Sequence, residues 1–218
     1  LVLQGPRLTE QALDTFKVAC TPRRIRLGPG HARCVEVADD AETRRAVQAL
    51  AQYWQLDAAF VDPAMRLADF RVLAMDMDST LVNIETLDEV AALAGKGREV
   101  AAITEAAMRG ELKDYADSLR RRVALLAGAD AGLLQRVLDE RLRLNPGAET
   151  LVAACRRAGL TTLLVSGGFS FFTERMRERL GFDRVRANEL GLADGRLNGS
   201  VSGPAGAACA LALARAGV

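Results

Sequence analysis

The amino-acid sequence predicts an α/β protein in which a parallel sheet carries an inserted helical cap, preceded by a small βαββαβ domain. Two short apolar runs, RVLAMD at 71–76 and LTTLLVSGG at 160–168, have the composition of strands buried on both faces of a parallel sheet. The segment between them is almost entirely helical in its spacing. A length of 218 residues is sufficient for one sizeable domain and a small companion.

The first 62 residues alternate between strand and helix patterns in the order of a split, ferredoxin-like βαββαβ domain. This order resembles the ACT-type regulatory modules of metabolic enzymes, although many unrelated domains share it. Residues 63–70 are predicted to be a linker. The predicted strands are 1–6, 24–30, 33–39 and 57–61, and the predicted helices are 8–19 and 41–54.

The second domain, residues 71–218, is predicted to be the α/β sheet with its cap at about 86–145. Pro146 is placed where a helix can begin without losing a hydrogen bond. A hairpin with Asp194-Gly195 at its turn is expected near the end. The predicted helices are 86–94, 98–109, 115–127, 131–142 and 170–180, and strands follow at 183–190 and within 191–203.

Composition excludes several classes of function. A formal net charge of +1 argues against a nucleic-acid binder, which would concentrate basic charge on one face. No apolar run reaches the 18 or so residues of a membrane span, and the first residues lack the layout of a signal peptide. The 4 cysteines form no CxxC pair, so we expect neither a disulfide framework nor a zinc site, and a reducing cytoplasm suits them.

Carboxylates are the groups that remain for acid, base or nucleophilic chemistry. The only histidine, His31, lies in a Gly-Pro-Gly loop of the small domain, which excludes a Ser-His-Asp or Cys-His mechanism in the large domain. Ser166 is not in a GxSxG context, and neither GxxxxGK[ST] nor a GxGxxG after a strand is present.

Asp76 and Asp78 directly follow the first apolar run, at the sheet edge where α/β proteins bind ligands. Residues i and i+2 of an extended segment point the same way, so both side chains could face one reacting atom. Two carboxylates this close repel each other unless a cation lies between them or one keeps a proton. A hard cation such as Mg²⁺ would relieve that repulsion. The alternative is a helix N-cap, because Asp-Ser-Thr clusters often begin helices.

The stretch DMDSTLVNIETLDEVA, followed in order by AAMRGEL, SLRRRVALL and VSGGFSFFTERMRERLGFDRVRANEL, resembles the phosphoserine phosphatase family of the haloacid-dehalogenase (HAD) superfamily. The resemblance covers roughly residues 70–204 and implies a HAD-like fold. It implies that O-phospho-L-serine is hydrolysed through an aspartyl-phosphate, as in the last step of serine biosynthesis. Asp76 would be the nucleophile and Asp78 the acid and base, with Mg²⁺ held by the Asp76 carboxylate and the Asp78 backbone carbonyl.

The same resemblance implies that Ser166 and Gly167 cradle the phosphate through a hydroxyl and a backbone N–H. Glu85 and Arg122 fall at the positions that read the ammonium and carboxylate groups of the substrate, and arginine suits a carboxylate because its fork can bind both oxygens. A one-residue uncertainty leaves Arg121 as the alternative to Arg122. Met108 and Tyr115 could line the pocket or pack in the core, whereas Arg120 is expected to be a solvated surface residue.

Two motifs of active family members are missing after residue 113: a lysine that pairs with the phosphoryl group, and a Gly-Asp-Gly-x-x-Asp stretch that completes the metal site. We expect the sequence to be part of a longer chain, in which 205–218 would be a helix. The alternatives are a catalytically incomplete, amino-acid-binding regulatory protein and a related HAD phosphatase or phosphotransferase for another small substrate. The small domain could bind serine, pair two copies as a homodimer, or simply pack.

Overall fold

The computed structural model describes residues 1–112 and 114–203, and the chain divides into two compact units between Arg66 and Leu67. This boundary lies inside the segment predicted to be a linker. The helix expected at 205–218 lies outside the described residues. Within the described residues, no helix has both the length and the apolar character that crossing a membrane requires.

The first unit has the predicted βαββαβ order, with an antiparallel sheet in the strand order β2-β3-β1-β4. Its core is formed where two amphipathic helices cover one face of the sheet, with Leu3, Phe16 and Ala32 fully buried. The elements are β1 Val2–Gln4, α1 Glu10–Cys20, β2 Arg24–Gly28, β3 His31–Val35, α2 Ala41–Trp54 and β4 Asp57–Ala59.

Both helices of this unit begin at side-chain caps. The Thr9 hydroxyl accepts a hydrogen bond from the backbone N–H of Ala12 at 3.1 Å, and one Asp40 carboxylate oxygen accepts from Glu42 and Thr43 at 3.0 and 2.8 Å. Such caps satisfy N–H groups that the first helical turn leaves unpaired. They explain why the predicted start of α2 is correct and why α1 begins two residues later than its periodicity suggests.

The second unit is built on a sheet in the order β5-β6-β7-β8, with the first three strands parallel and β8 antiparallel to β7. Among the described residues, β5 pairs only with β6 and forms an edge of the sheet. The elements are β5 Val72–Asp76, α3 Thr86–Leu93, α4 Gly97–Met108, α5 Tyr115–Ala124, α6 Gly132–Arg136, α7 Ala148–Arg157, β6 Thr161–Phe169, α8 Ser170–Leu180, β7 Arg184–Ala193 and β8 Arg196–Ser202.

Helices α3 to α6 form the predicted insert, and its two ends meet beside the sheet. Val82 and Leu144 form an isolated antiparallel bridge there. The side-chain amide of Asn145 donates to the backbone carbonyls of Thr80 and Val82 at 2.8 and 3.1 Å. Because these bonds join the chain entering the insert to the chain leaving it, they fix the insert relative to the end of β5.

The hairpin of β7 and β8 also supports the insert. Asp194 and Gly195 have φ values of 51° and 74°, the geometry of a tight two-residue turn, so the predicted hairpin is confirmed. Leu197 of β8 exchanges backbone hydrogen bonds of 2.8 and 2.9 Å with Gly128 and Ala129, which follow α5. The insert is therefore tied to the sheet at two separate places.

The structure modifies two predicted helices: the last turn of one is wider than in an α-helix, and the other begins two residues after Pro146. The segment predicted as one helix at 131–142 is α6 followed by a single wide turn at Val137–Arg141, closed by a 3.0 Å bond from Leu142 N–H to the Val137 carbonyl. The helix expected near Pro146 begins at Ala148, because Gly147 has a φ of 87° and turns the chain first.

Candidate active site

The two aspartates lie at the carboxyl end of β5, and the chain stays extended long enough to place both on one side. Asp76 and Asp78 have φ values of −77° and −66° and ψ values of 160° and 134°. Met77 between them is fully buried in the core, whereas Asp76 is exposed and Asp78 is half-buried. Alternation along an extended segment thus anchors the loop through Met77 and presents both carboxylates outward.

A tight turn follows immediately, and it brings Glu85 back to the aspartates. Ser79 has a φ of 53°, and its backbone N–H donates to the Ile84 carbonyl at 3.1 Å. The Ser79 hydroxyl donates to Glu85 Oε1 at 2.7 Å. The predicted ammonium-binding residue is therefore positioned by the turn that follows Asp78.

Asp78 is held by the first residue of α3. Thr86, which is fully buried, donates its backbone N–H to Asp78 Oδ1 at 3.3 Å and its hydroxyl to Oδ2 at 3.2 Å. Burial raises the pKa of Asp78 to about 7; the Thr86 hydrogen bonds lower it, and the negative charges of Glu85 and Asp76 raise it further. A carboxyl group that titrates near neutral pH can both give and take a proton.

The end of β6 packs directly against Asp78. A methyl group at Gly168 would lie 2.9 Å from Asp78 Oδ2 and 3.2 Å from the Thr86 hydroxyl, so only glycine fits without displacement. The Ser166 hydroxyl is buried and accepts a hydrogen bond from the Gly168 N–H at 2.8 Å. The structure therefore brings Ser166 to the aspartates with its hydroxyl used in shaping the turn at the strand end.

The side chain of Asn188 on β7 holds the same turn by hydrogen bonds. It is fully buried, and its side-chain amide donates to the carbonyls of Gly167 and Gly168 at 2.8 and 3.3 Å. Because these carbonyls are held toward β7, the backbone between Ser166 and Phe169 has a fixed orientation at the site.

The helical insert contributes Tyr115 and Arg122, which lie two turns apart on one face of α5. The Tyr115 hydroxyl donates to the Gly167 carbonyl at 3.4 Å. Burial raises the pKa of Tyr115, the charge and hydrogen bond of Arg122 lower it, and Asp78 and Asp76 raise it. The phenol is therefore near both Arg122 and the aspartate pair, and its bond to Gly167 links the insert to the end of β6.

The other two arginines of the run face away from this contact. Arg121 pairs with Asp117 at 2.9 Å and Arg120 with Asp114 at 3.5 Å, and both arginines are exposed. Arg122 instead is half-buried, and its Nε donates to the Ser118 carbonyl at 3.4 Å. The geometry therefore places Arg122, and not Arg121, on the site side of α5.

Three residues of this arrangement are absent from the sequence-based prediction: Thr86, Gly168 and Asn188. Asn188 carries a signal, since an asparagine inside the strand pattern VRANEL must find partners when buried. Thr86 and Gly168 adjoin predicted residues, but only the fold shows that they meet at Asp78. Met108, considered for the pocket or the core, is 84% exposed, so the core alternative is wrong.

Comparison with known proteins identifies the family to which the chain belongs. Residues 73–217 match the family model of haloacid dehalogenase-like hydrolases. The phosphoserine phosphatase of Polaromonas sp. strain JS666 is 59% identical over 137 residues, which are 63% of this chain and 58% of that protein. The chain thus spans less than two thirds of the length of this curated relative.

Solved structures that are described as phosphoserine phosphatases are also similar to this chain. One, described as a phospho-aspartyl intermediate analogue of phosphoserine phosphatase, has a TM-score of 0.57 and 39% identity, covering 61% of this chain and 63% of that one. The unliganded structure of a probable phosphoserine phosphatase from Vibrio cholerae has a TM-score of 0.76 and 30% identity, covering 99% of this chain and 68% of that one.

Proposed function

Because the chain belongs to the haloacid dehalogenase-like hydrolase family, as its motif order predicted, we propose that the complete protein hydrolyses O-phospho-L-serine to L-serine and phosphate. The observation that carries the proposal is the junction at Asp78, where Thr86, Gly168 and the neighbouring Asp76 meet under Tyr115 of the insert. The reaction would supply serine in the last step of its biosynthesis.

Asp76 and Asp78 would divide the chemistry between them. The exposed Asp76 carboxylate attacks phosphorus, and the bond from phosphorus to the serine oxygen breaks as an aspartyl-phosphate forms. Asp78 gives its proton to the departing serine oxygen. It then takes a proton from the water that attacks the phosphorus of the intermediate, which releases phosphate and restores the Asp76 carboxylate.

The residues at the end of β5 suit a divalent cation of the hard, oxygen-preferring kind. Three carboxylates, those of Asp76, Asp78 and Glu85, lie near one another here and Asp76 is exposed, so this place attracts positive charge. Within the described part of the chain, no three His, Cys, Asp or Glu side chains are grouped to hold a metal, so the protein would supply fewer side-chain ligands than that here. We propose Mg²⁺, held by the Asp76 carboxylate and the Asp78 backbone carbonyl with waters completing its shell. Such an ion would neutralise charge on the phosphoryl oxygens.

Substrate choice would fall to Glu85 and Arg122. Glu85 lies beside the aspartates on the turn after β5, and Arg122 lies on α5 beside Tyr115. A carboxylate on one side and a guanidinium on the other match the ammonium and carboxylate of phosphoserine. We propose that the Ser166 hydroxyl and the Gly167 backbone N–H bind the phosphate.

Phosphate release by the complete polypeptide with Mg²⁺ tests this function. We expect O-phospho-L-serine to be hydrolysed with a kcat/KM at least about tenfold above those of O-phospho-L-homoserine and phosphoethanolamine, since a site built for a charged group rejects substrates that misplace or lack it. Release from phosphoserine no faster than the background without enzyme would refute the proposal. A preference for phosphohomoserine would assign the site to another small substrate.

A further inference from the structure

The first unit contains a cavity of about 820 Å³ beside its sheet. Three arginines line it: Arg26 of β2, Arg33 of β3, and Arg44 of α2, which pairs with Asp39. The apolar side chains of Val2, Val35 and Val61 also line it. Its volume lies within the range of small-molecule sites. None of these residues belongs to the unit that carries the aspartates.

Two of these arginines lie directly opposite each other in the sheet. Arg26 and Arg33 are register partners of the antiparallel pair β2–β3, and both are exposed. Ala32 and Cys34, on either side of Arg33, are buried toward the helices, so both arginines extend from the open face. Side chains directly opposite begin about 5 Å apart, and like charges in that position destabilise a sheet.

The acidic side chains that line the cavity are already engaged. Glu36 pairs with Arg23 at 2.9 Å, and Asp39 accepts from Arg44 at 2.9 Å. Asp62 accepts from a backbone N–H two residues along the chain at 2.8 Å. Among the described residues, none of these carboxylates forms an ion pair with Arg26 or Arg33.

We propose that this cavity binds a small phosphate monoester with an apolar body. Within residues 1–112 and 114–203, Arg26 and Arg33 have neither an ion pair nor a side-chain hydrogen bond, so their donors are available to a ligand. A phosphate dianion matches the charge of two guanidinium groups and accepts from both forks at once, whereas a monocarboxylate matches only one. The valines and the volume leave room for an apolar group beside the phosphate.

The test uses the full chain and follows backbone amide NMR signals of residues 24–37 during titration with phenyl phosphate, benzoate or inorganic phosphate. These signals belong to the first unit, which does not contain the aspartates of the candidate active site. We expect Arg26→Gln and Arg33→Gln each to weaken phenyl phosphate binding about tenfold or more, the effect of losing a charged hydrogen bond. Arg24→Gln is the matched control, because Arg24 lies on the same face of β2 but does not line the cavity.

Thermal unfolding distinguishes a variant that has lost the ligand contact from one that no longer folds. Without ligand, Arg26→Gln should unfold at the same temperature as the parent or higher, since it removes repulsion from Arg33. Phenyl phosphate should raise the unfolding temperature of Arg24→Gln more than that of Arg26→Gln. Unchanged affinity in both cavity variants, or benzoate binding as tight as phenyl phosphate, would overturn the proposal. Equal affinity for inorganic phosphate would overturn the assignment to an ester.

Discussion

Replacement of Gly168 by alanine tests the contact between the end of β6 and Asp78. The added methyl group would lie 2.9 Å from Asp78 Oδ2, 3.1 Å from the Ser166 hydroxyl and 3.2 Å from the Thr86 hydroxyl. An ordinary contact begins at 3.4 Å, so the Asp78 carboxylate must move by about 0.5 Å. Since a displacement of about 1 Å can cost about 10²-fold in rate, we expect kcat to fall roughly tenfold.

The assay is steady-state phosphate release from phosphoserine, measured well below the unfolding temperature because crowding should also cost about 1–3 kcal/mol of stability. We expect KM to change by less than about threefold, because Glu85 and Arg122 are untouched. Gly97→Ala is the matched control, since its methyl group meets Ala92 at an ordinary 3.4 Å. A Gly168→Ala enzyme with kcat within twofold of the parent would show that Asp78 does not act at this position.

Three further substitutions test other parts of the account. Arg122→Gln should lower kcat/KM for phosphoserine about 10- to 100-fold, the loss of a charged hydrogen bond, and leave phosphoethanolamine, which has no carboxylate, almost unchanged. Tyr115→Phe removes the 3.4 Å bond that links the insert to β6 and should raise KM by about threefold. Asp183→Ala should lower the free energy of unfolding at pH 7 by about 1 kcal/mol, because the exposed carboxylate accepts from the Thr162 N–H and hydroxyl.

The Asp183 prediction also has a defined pH dependence. The Thr162 backbone hydrogen bond holds the pKa of Asp183 below its ordinary value. Burial opposes this effect, and the Thr162 hydroxyl, Arg156 and Arg184 add to it. The stabilisation is therefore complete above the unfolded carboxyl pKa and is lost as pH falls through the folded one. The difference between the two proteins in urea unfolding should shrink as pH falls below about 4 and vanish only below the lowered pKa of Asp183. A difference that does not shrink over this range would contradict the assignment.

The arginine and tyrosine predictions have their own controls. Arg121→Gln should leave all kinetic constants within twofold, because Arg121 pairs with Asp117 at the surface of α5. If Arg121→Gln and Arg122→Gln lose the same activity toward phosphoserine, the placement of Arg122 on the site side is wrong. A Tyr115→Phe enzyme with a changed kcat and an unchanged KM would indicate a role in the chemical step.

The sequence-based analysis predicted the elements whose causes are local. The apolar run before Asp76 and the turn pair Asp194-Gly195 each specify their structure within a few residues, so β5 and the β7–β8 hairpin were predicted correctly. The α/β fold with its inserted cap followed from the order of such segments, and the family match is in agreement with it.

Features set by contacts distant in sequence were not predicted. The bonds from Asn188 reach Gly167 and Gly168, about twenty residues earlier, and no local pattern specifies them. The turn after Asp78 depends on Ser79 adopting a φ of 53°, which a serine does only where surrounding contacts hold it. The sequence thus identified Asp78 as the predicted acid and base, but it did not identify the contacts that set the pKa of Asp78.

Detection of a phosphoryl group on Asp76 tests the central claim most directly. The complete polypeptide with Mg²⁺ is mixed with phosphoserine, quenched in acid within one turnover, and analysed by intact-mass and peptide mass spectrometry. The account predicts a gain of one phosphoryl group on the peptide that contains Asp76, and no such gain in Asp76→Asn. Turnover of phosphoserine without a phosphorylated species, or with the same species in Asp76→Asn, would contradict it.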